Sequence, residues 1–322
     1  MKPELRKQLF YSMLRVRRVE EKIVELYPEQ EMRCPVHLCI GQEAVVTGVC
    51  AALTPTDAVF SGHRAHGHYL ASGGNLAAFW AEMYGKATGC CRGKGGSMHL
   101  IDLDAGFIAS TPIVGSTIPI AVGAAFGATM QGLNKVVVIF LGEGATEEGV
   151  FHESLNFASL KQLPVVFVCE NNFYSVYTPL SERQPKDREV YPLAQAQNIP
   201  STQADGNDVE TVYRLSQEAI ERARKGGGPS FLEFITYRWR EHCGPNYDNH
   251  IGYRTEAEFK EWQEKDPIEN AQNQLLVEGI LSEEELEEME RAIAREIEEA
   301  VTFAKNSPFP EPETLYEHVY AQ

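Results

Sequence analysis

VVVIFLGEGATEEGVFHESLNFASLKQLPVVFVCENNFY, residues 136–174, holds two runs of β-branched and aromatic residues, 136–141 and 165–169, on either side of a glycine turn. Apolar runs with little alternation suit strands buried on both faces, as in parallel sheets covered by helices. Gly142-Glu143-Gly144-Ala145 turns the chain, and 146–161 is long enough for a helix. The segment therefore reads as strand, turn, helix, strand.

Working outward, 58–60 (AVF) and 231–235 (FLEFI) are further strand candidates. The Ala- and Gly-rich stretch 115–133 reads as a buried helix with Pro119 in its first turn, where proline is tolerated. Asp208 can cap a helix running to about Lys225, which 226–229 (GGGP) ends. Each apolar run is followed by polar or glycine-rich sequence: His63-Arg64-Ala65-His66-Gly67-His68, Gly142-Glu143-Gly144, Glu170-Asn171-Asn172, and Arg238-Trp239-Arg240-Glu241-His242. In an open parallel sheet these ends share one edge, and ligands bind outside the carboxyl ends of strands.

The chain has 322 residues, 43% of them hydrophobic and 23% charged, so it can bury a sizeable core and is not disordered. Its net charge of −17 argues against a nucleic-acid surface. No run is long and apolar enough for a membrane helix, and residues 1–27 read as an amphipathic helix, not a signal peptide. Seven cysteines without a C-x-x-C pattern indicate reduced thiols in a cytoplasm, with Cys169 as inert core. Toward the C-terminus, Ser282 and Glu285 form a capping-box pattern, and Leu286, Met289, Ile293 and Ile297 share one face of a very acidic helix. Its acidity is either a solvated face or a match for a basic partner.

Glu143 and Asn172 are the sharpest chemical signal. A carboxylate and an amide oxygen at the ends of two adjacent strands are hard ligands that suit Mg²⁺, although G-E-G alone is as readily a structural turn. The glycines let the backbone approach a phosphate, and the following helix directs its dipole at it. The loop 93–99 (GKGGSMH) is an anion-site candidate or a plain connection, and lacks the Walker spacing. His63, His66 and His68 could hold Zn²⁺, but they lack a familiar companion. Arg64 gripping phosphate, with the histidines orienting substrate or moving protons, is the competing reading.

Taken in order, H-L-C-I-G-Q-E-A at 37–44, H-R-A-H-G-H at 63–68, G-K-G-G-S-M-H at 93–99, I-V-G-S at 113–116, G-E-G-A at 142–145, E-N-N-F-Y at 170–174 and Y-R-W-R-E-H at 237–242 form a set. In that set the chain resembles the alpha subunit of the thiamine-diphosphate-dependent first component of 2-oxo acid dehydrogenase complexes, in the pyruvate and acetoin dehydrogenase branch. The resemblance implies a three-layer α/β thiamine-diphosphate-binding fold, with a mostly parallel sheet flanked by helices. It also implies helical extensions at both ends: 1–35 as an N-terminal helical segment, 36–265 as the diphosphate and Mg²⁺ half, and 266–322 as an acidic helical extension.

By the same resemblance, Glu143, Asn172 and the Tyr174 carbonyl would bind Mg²⁺. His63, Arg64, His242 and, more weakly, Arg238 would contact the cofactor phosphates, with donors from Gly142, Gly144 and Ala145. Ile113 and Val114 would hold the aminopyrimidine. His37, His66 and His242 are the histidines placed to orient substrate or move protons. A separate beta subunit would supply the activating glutamate in an assembly of two alpha and two beta chains. The two-carbon unit from a pyruvate-like 2-oxo acid, or from acetoin, would pass to a lipoyl-bearing acyltransferase or another acceptor. Three residues depart from the family pattern: Glu143 stands for Asp, His63 for Tyr, and Cys243 for the phosphorylatable Ser. A split transketolase-like enzyme and a catalytically silent subunit are the alternatives.

Overall fold

The computed structural model describes residues 1–32, 34–186, 188–317 and 319–320. Its centre is a six-stranded parallel sheet of β1 (Ala58–Ser61), β2 (Phe107–Ser110), β3 (Val137–Gly142), β4 (Val165–Asn171), β7 (Ser201–Asp205) and β8 (Ser230–Ile235), in the order β2-β1-β3-β4-β8-β7. A separate antiparallel hairpin joins β5 (Tyr174–Ser175) and β6 (Thr178–Pro179). The four strands expected from apolar runs are all present. Edge strands β2 and β7 were not expected, and β7, STQAD, is polar because much of it stays open to solvent.

Alternating residues of the central strands feed two cores, as the two-residue period of a strand requires. Val138, Phe140, Val166, Val168, Leu232 and Phe234 face a large core. That core is completed by the N-terminal helix Pro3–Leu26 and by helices Glu43–Cys50, Leu76–Met83, Val209–Arg224 and Glu283–Asn306. Val137, Ile139, Leu141, Val165, Phe167, Cys169 and Phe231 face a smaller core under helices Thr117–Met130 and Gly149–Lys161. The chain is thus helix, sheet, helix in three layers. No helix among the described residues is long and apolar enough to cross a membrane.

Two expectations about helices change. The helix after β3 starts at Gly149, because Glu143–Glu147 first makes a 3₁₀ turn. The helix at 115–133 covers Thr117–Met130 and is not wholly buried: Ile120 and Met130 are exposed, and a Cβ at Gly123 or Gly127 would meet nothing within 4 Å.

The acidic helix Glu283–Asn306 has its capping box, with Ser282 and Glu285 bonding reciprocally. Its basic partner is the chain's own N-terminal helix. Lys7 donates to Glu285 at 2.6 Å, Arg15 to Glu296 at 2.7 and 2.9 Å, and Arg18 to Glu290 at 2.6 Å, while Lys22 lies 2.8 Å from Glu298. These pairs are part-exposed and contribute little individually, about 0–1 kcal/mol, so the apolar stripe of Ile293, Ile297, Ala300, Val301 and Ala304 does most of the docking.

Candidate active site

The carboxyl ends of β1, β3, β4 and β8 lie along one edge, since all four strands run parallel. From β1 the chain crosses to β2 on one side, and from β3 to β4 on the other. The crevice between β1 and β3 is therefore a topological switch point. A cleft of about 730 Å³, counting its open mouth, lies there. His63 and Arg64 after β1, Gly142 to Ala145 after β3, Asn172 and Tyr174 after β4, and His242 beyond β8 all line it.

The N-terminal helix holds the first wall in place. Arg17 donates to both Glu43 oxygens and to Asp266, with all three side chains buried. Glu43 also receives the Gly41 N–H at 3.1 Å. Gly41 has φ +99°, and a Cβ there would sit 2.4 Å from the Tyr237 carbonyl, so only glycine fits this turn. Glu20 receives the Cys39 N–H at 2.8 Å and faces His66 Nδ1 at 3.1 Å. The motif 37–44 is thereby pinned against the cleft, where Gln42 Oε1 accepts from Asn172 Nδ2 at 3.1 Å.

The donor-rich wall combines Arg64 with three imidazoles. The His37, His63 and His242 rings lie with centroids 4.6 to 5.3 Å apart. Burial, and then the Arg64 charge, push their pKa values down, to about 2 for His37, about 4 for His63 and about 3 for His242. They are neutral, and His37 Nδ1 is buried without a hydrogen-bond partner among the described residues. Arg64, itself lowered to about 10 by burial and then by Arg238, donates to the Leu38 carbonyl at 2.6 Å.

The opposite wall offers oxygen. Glu143 is 2% exposed; burial raises its pKa, while Arg183 opposes the shift by donating to Oε1 at 2.6 Å. Asn172 Oδ1 accepts the Tyr174 N–H at 3.2 Å. Beneath them Ser61 Oγ lies 2.8 Å from His68 Nδ1, and His68 Nε2 lies 3.0 Å from Glu170 Oε2.

Three anticipated residues, His66, Arg238 and Ile113, do not line the cleft. His66 points away from the cleft, with Nε2 2.6 Å from Ser97 Oγ. It and His68 start one helix two residues apart, and about 100° per residue sends them to different sides. The expected grouping of His63, His66 and His68 is replaced by His37, His63 and His242. Arg238 is fully buried, donating to the carbonyls of Arg240 and Val176 and to the Tyr253 hydroxyl at 2.6 to 2.9 Å, and does not line the cleft. Ile113 projects into solvent beside Val114, which does line it. The glycine-rich loop 93–99 does hold an anion, but that anion is Glu82 of the same chain. Ser61 and Arg183 were missed; Gln42 and Glu170 lay inside the quoted motifs without a role of their own, and His68 was read only as a Zn²⁺ ligand or proton mover.

A switch-point cleft with an arginine and neutral imidazoles on one wall and hard oxygen donors on the other defines an α/β enzyme for a phosphorylated cofactor. The family model for the dehydrogenase E1 component matches residues 11–313, and the chain belongs to that family of thiamine-diphosphate-dependent oxidoreductases. It is 42% identical over 317 residues to the alpha subunit of acetoin:2,6-dichlorophenolindophenol oxidoreductase of Bacillus subtilis (strain 168), covering 97% of this chain and 92% of that one. It is 38% identical over 311 residues to the pyruvate dehydrogenase E1 component subunit alpha of Rickettsia bellii (strain RML369-C), covering 97% and 94%. Against the chloroplastic alpha-3 subunit of Arabidopsis thaliana it is 37% identical over 321 residues, covering 98% and 74%.

Proposed function

We propose that this chain is the alpha subunit of a two-chain enzyme that decarboxylates a pyruvate-like 2-oxo acid or cleaves acetoin, using thiamine diphosphate held through Mg²⁺. The observation that carries the reading is the division of the cleft into a buried carboxylate wall and a wall of Arg64 with three neutral imidazoles. A diphosphate bridged by a divalent cation needs both.

The residues fit the cofactor. Glu143, the Asn172 amide oxygen and the Tyr174 carbonyl form a hard oxygen set suited to Mg²⁺, which keeps its remaining positions for water and phosphate. Arg64, His63 and His242 would bind the phosphate oxygens, with the Gly144 and Ala145 amides. The backbone at Ile113 and Val114 would hold the aminopyrimidine, and His37, with its unpartnered Nδ1, would face the substrate. Bound thiamine diphosphate supplies an electron sink for the bond cleavage. The chain's own part is to orient the diphosphate, to exclude water with the Phe140, Leu141 and Ile118 lining, and to hold uncharged imidazoles that offer hydrogen bonds to cofactor and substrate.

A beta subunit would complete the site from the side of helix Thr117–Met130. Val114, Ile120, Met130, Leu133, Phe157 and Leu160 are all exposed there or on the neighbouring helix, an apolar surface that a partner would cover. We place the assembly, two alpha and two beta chains, in the cytoplasm with its seven cysteines unpaired, the acyl unit passing to a lipoyl-bearing acyltransferase. Residues 36–265 would be the cofactor unit and 1–35 and 266–322 its helical supports.

The test is cofactor-dependent CO₂ release from a panel of 2-oxo acids, with this chain co-expressed with its beta subunit and an artificial electron acceptor. Release from pyruvate or a near relative, or cleavage of acetoin, is the expected result. Bound thiamine diphosphate with neither reaction would overturn it.

A further inference from the structure

Away from the cleft, Cys90 and Cys91 stand side by side at the start of the glycine-rich loop, both half-buried. Their sulfurs and a Glu82 carboxylate oxygen all lie within 4.8 Å of one another. Glu82, 1% exposed at the end of helix Leu76–Met83, receives the N–H groups of Cys91, Gly93, Gly95 and Gly96 at 2.8, 2.9, 2.7 and 3.0 Å. Four donors fill the four lone-pair sites of a carboxylate. Glu82 is thus the post around which the loop is wound, and it fixes the backbone that presents both thiols.

We infer that Cys90 and Cys91 form a chelating site for a soft divalent cation of the Zn²⁺ or Cd²⁺ type, whose two thiolates balance its charge and whose shell solvent completes. Paired thiolates select soft cations over Mg²⁺, which takes oxygen. The two thiols are immediate neighbours, and Cys91 Sγ donates to the His99 carbonyl at 2.8 Å. On binding, each thiol releases its proton to solvent and two sulfur–metal bonds form, with no electron transferred. The same loop carries Ser97, whose hydroxyl holds His66. An ion at the thiol pair would therefore stiffen a loop that reaches the HRAHGH segment without touching the cleft.

The test titrates Cd²⁺ into the co-expressed complex and follows the ultraviolet thiolate-to-cadmium charge-transfer absorbance. One equivalent per alpha chain is expected. Cys90→Ser and Cys91→Ser should each weaken binding by at least about tenfold, since even outer-shell partners of metal sites cost roughly 10–100-fold. Cys243→Ser, which alters an exposed thiol elsewhere, should leave it unchanged. If Cys91→Ser disturbs the loop, Cys90→Ser decides alone, because the Cys90 backbone N–H keeps its bond to the Ala78 carbonyl. Full affinity in Cys90→Ser, loss of the band in Cys243→Ser, or no band in the unaltered complex would overturn the inference. None of these readouts depends on thiamine diphosphate.

Discussion

Arg183 Nη2 donates to Glu143 Oε1 across 2.6 Å, closing the oxygen wall of the cleft from the short helix Leu180–Arg183 that follows the β5–β6 hairpin. Glu143 is anchored through that one oxygen, and the Arg183 charge opposes the upward push that burial gives its pKa. Arg183→Ala should therefore shift Glu143 further toward its protonated form. Affinity for Mn²⁺, read by its electron paramagnetic resonance, should fall about tenfold at pH 6.5 and recover as pH rises, since breaking a buried pair strands a charge that a proton can quench. A pH-independent loss would rule this account out.

Glu143→Ala should abolish Mg²⁺-dependent binding of thiamine diphosphate in calorimetry while leaving the circular dichroism of the fold intact. It removes a ligand and not a strand residue. Unchanged cofactor affinity would remove Glu143 from the metal site.

The three neutral imidazoles make acid stability a property of the cleft. Each has a folded-state pKa below the ordinary 6.5, so its stabilising contribution is present above pH 6.5 and is lost as pH falls toward about 4, the value for His63. The melting midpoint of the cofactor-free protein should decline over that window. His63→Tyr should lessen the decline by about a third, one of three groups having been removed. An identical pH profile in that variant would exclude His63 as a contributor.

Ile120→Glu should leave the chain folded, because the side chain is 54% exposed, but should prevent co-purification with the beta subunit. Size exclusion with light scattering reads the outcome directly. An intact complex would move the partner surface off this helix.

Removing the post at the centre of the glycine-rich loop should cost more than a surface change. Glu82→Ala strands four amides that now share one buried carboxylate, and hydrogen bonds to charged groups contribute about 1.5–3 kcal/mol each, so a loss of several kcal/mol is expected in urea unfolding. A change below about 1 kcal/mol would mean that water replaces the carboxylate freely.

The central strands were legible because both faces of β3 and β4 are buried, which leaves uninterrupted Val, Ile and Phe. Strand β7 was not, since an edge strand keeps polar residues on its open face. Glu143 and Asn172 could be brought to one edge because the strand register itself sets Gly142 beside Glu170, one residue before Glu143 and two before Asn172. Arg183 could not be: its approach to Glu143 depends on the hairpin that folds 174–179 back over the cleft. His66 was misjudged because the spacing in HRAHGH looks like alternation, whereas Ala65 to Ser72 turns as a helix.

The ladder of ion pairs between the first helix and the acidic one joins residues 272 to 281 positions apart. At ribosomal speeds of roughly 5–20 residues per second, the first helix waits on the order of tens of seconds for the segment that covers it. Through that interval its apolar stripe, which includes Phe10, Met13, Leu14 and Ile23, is covered only in part, by helices such as Glu43–Cys50, so nascent chains stalled before the acidic helix should be the ones that chaperones hold.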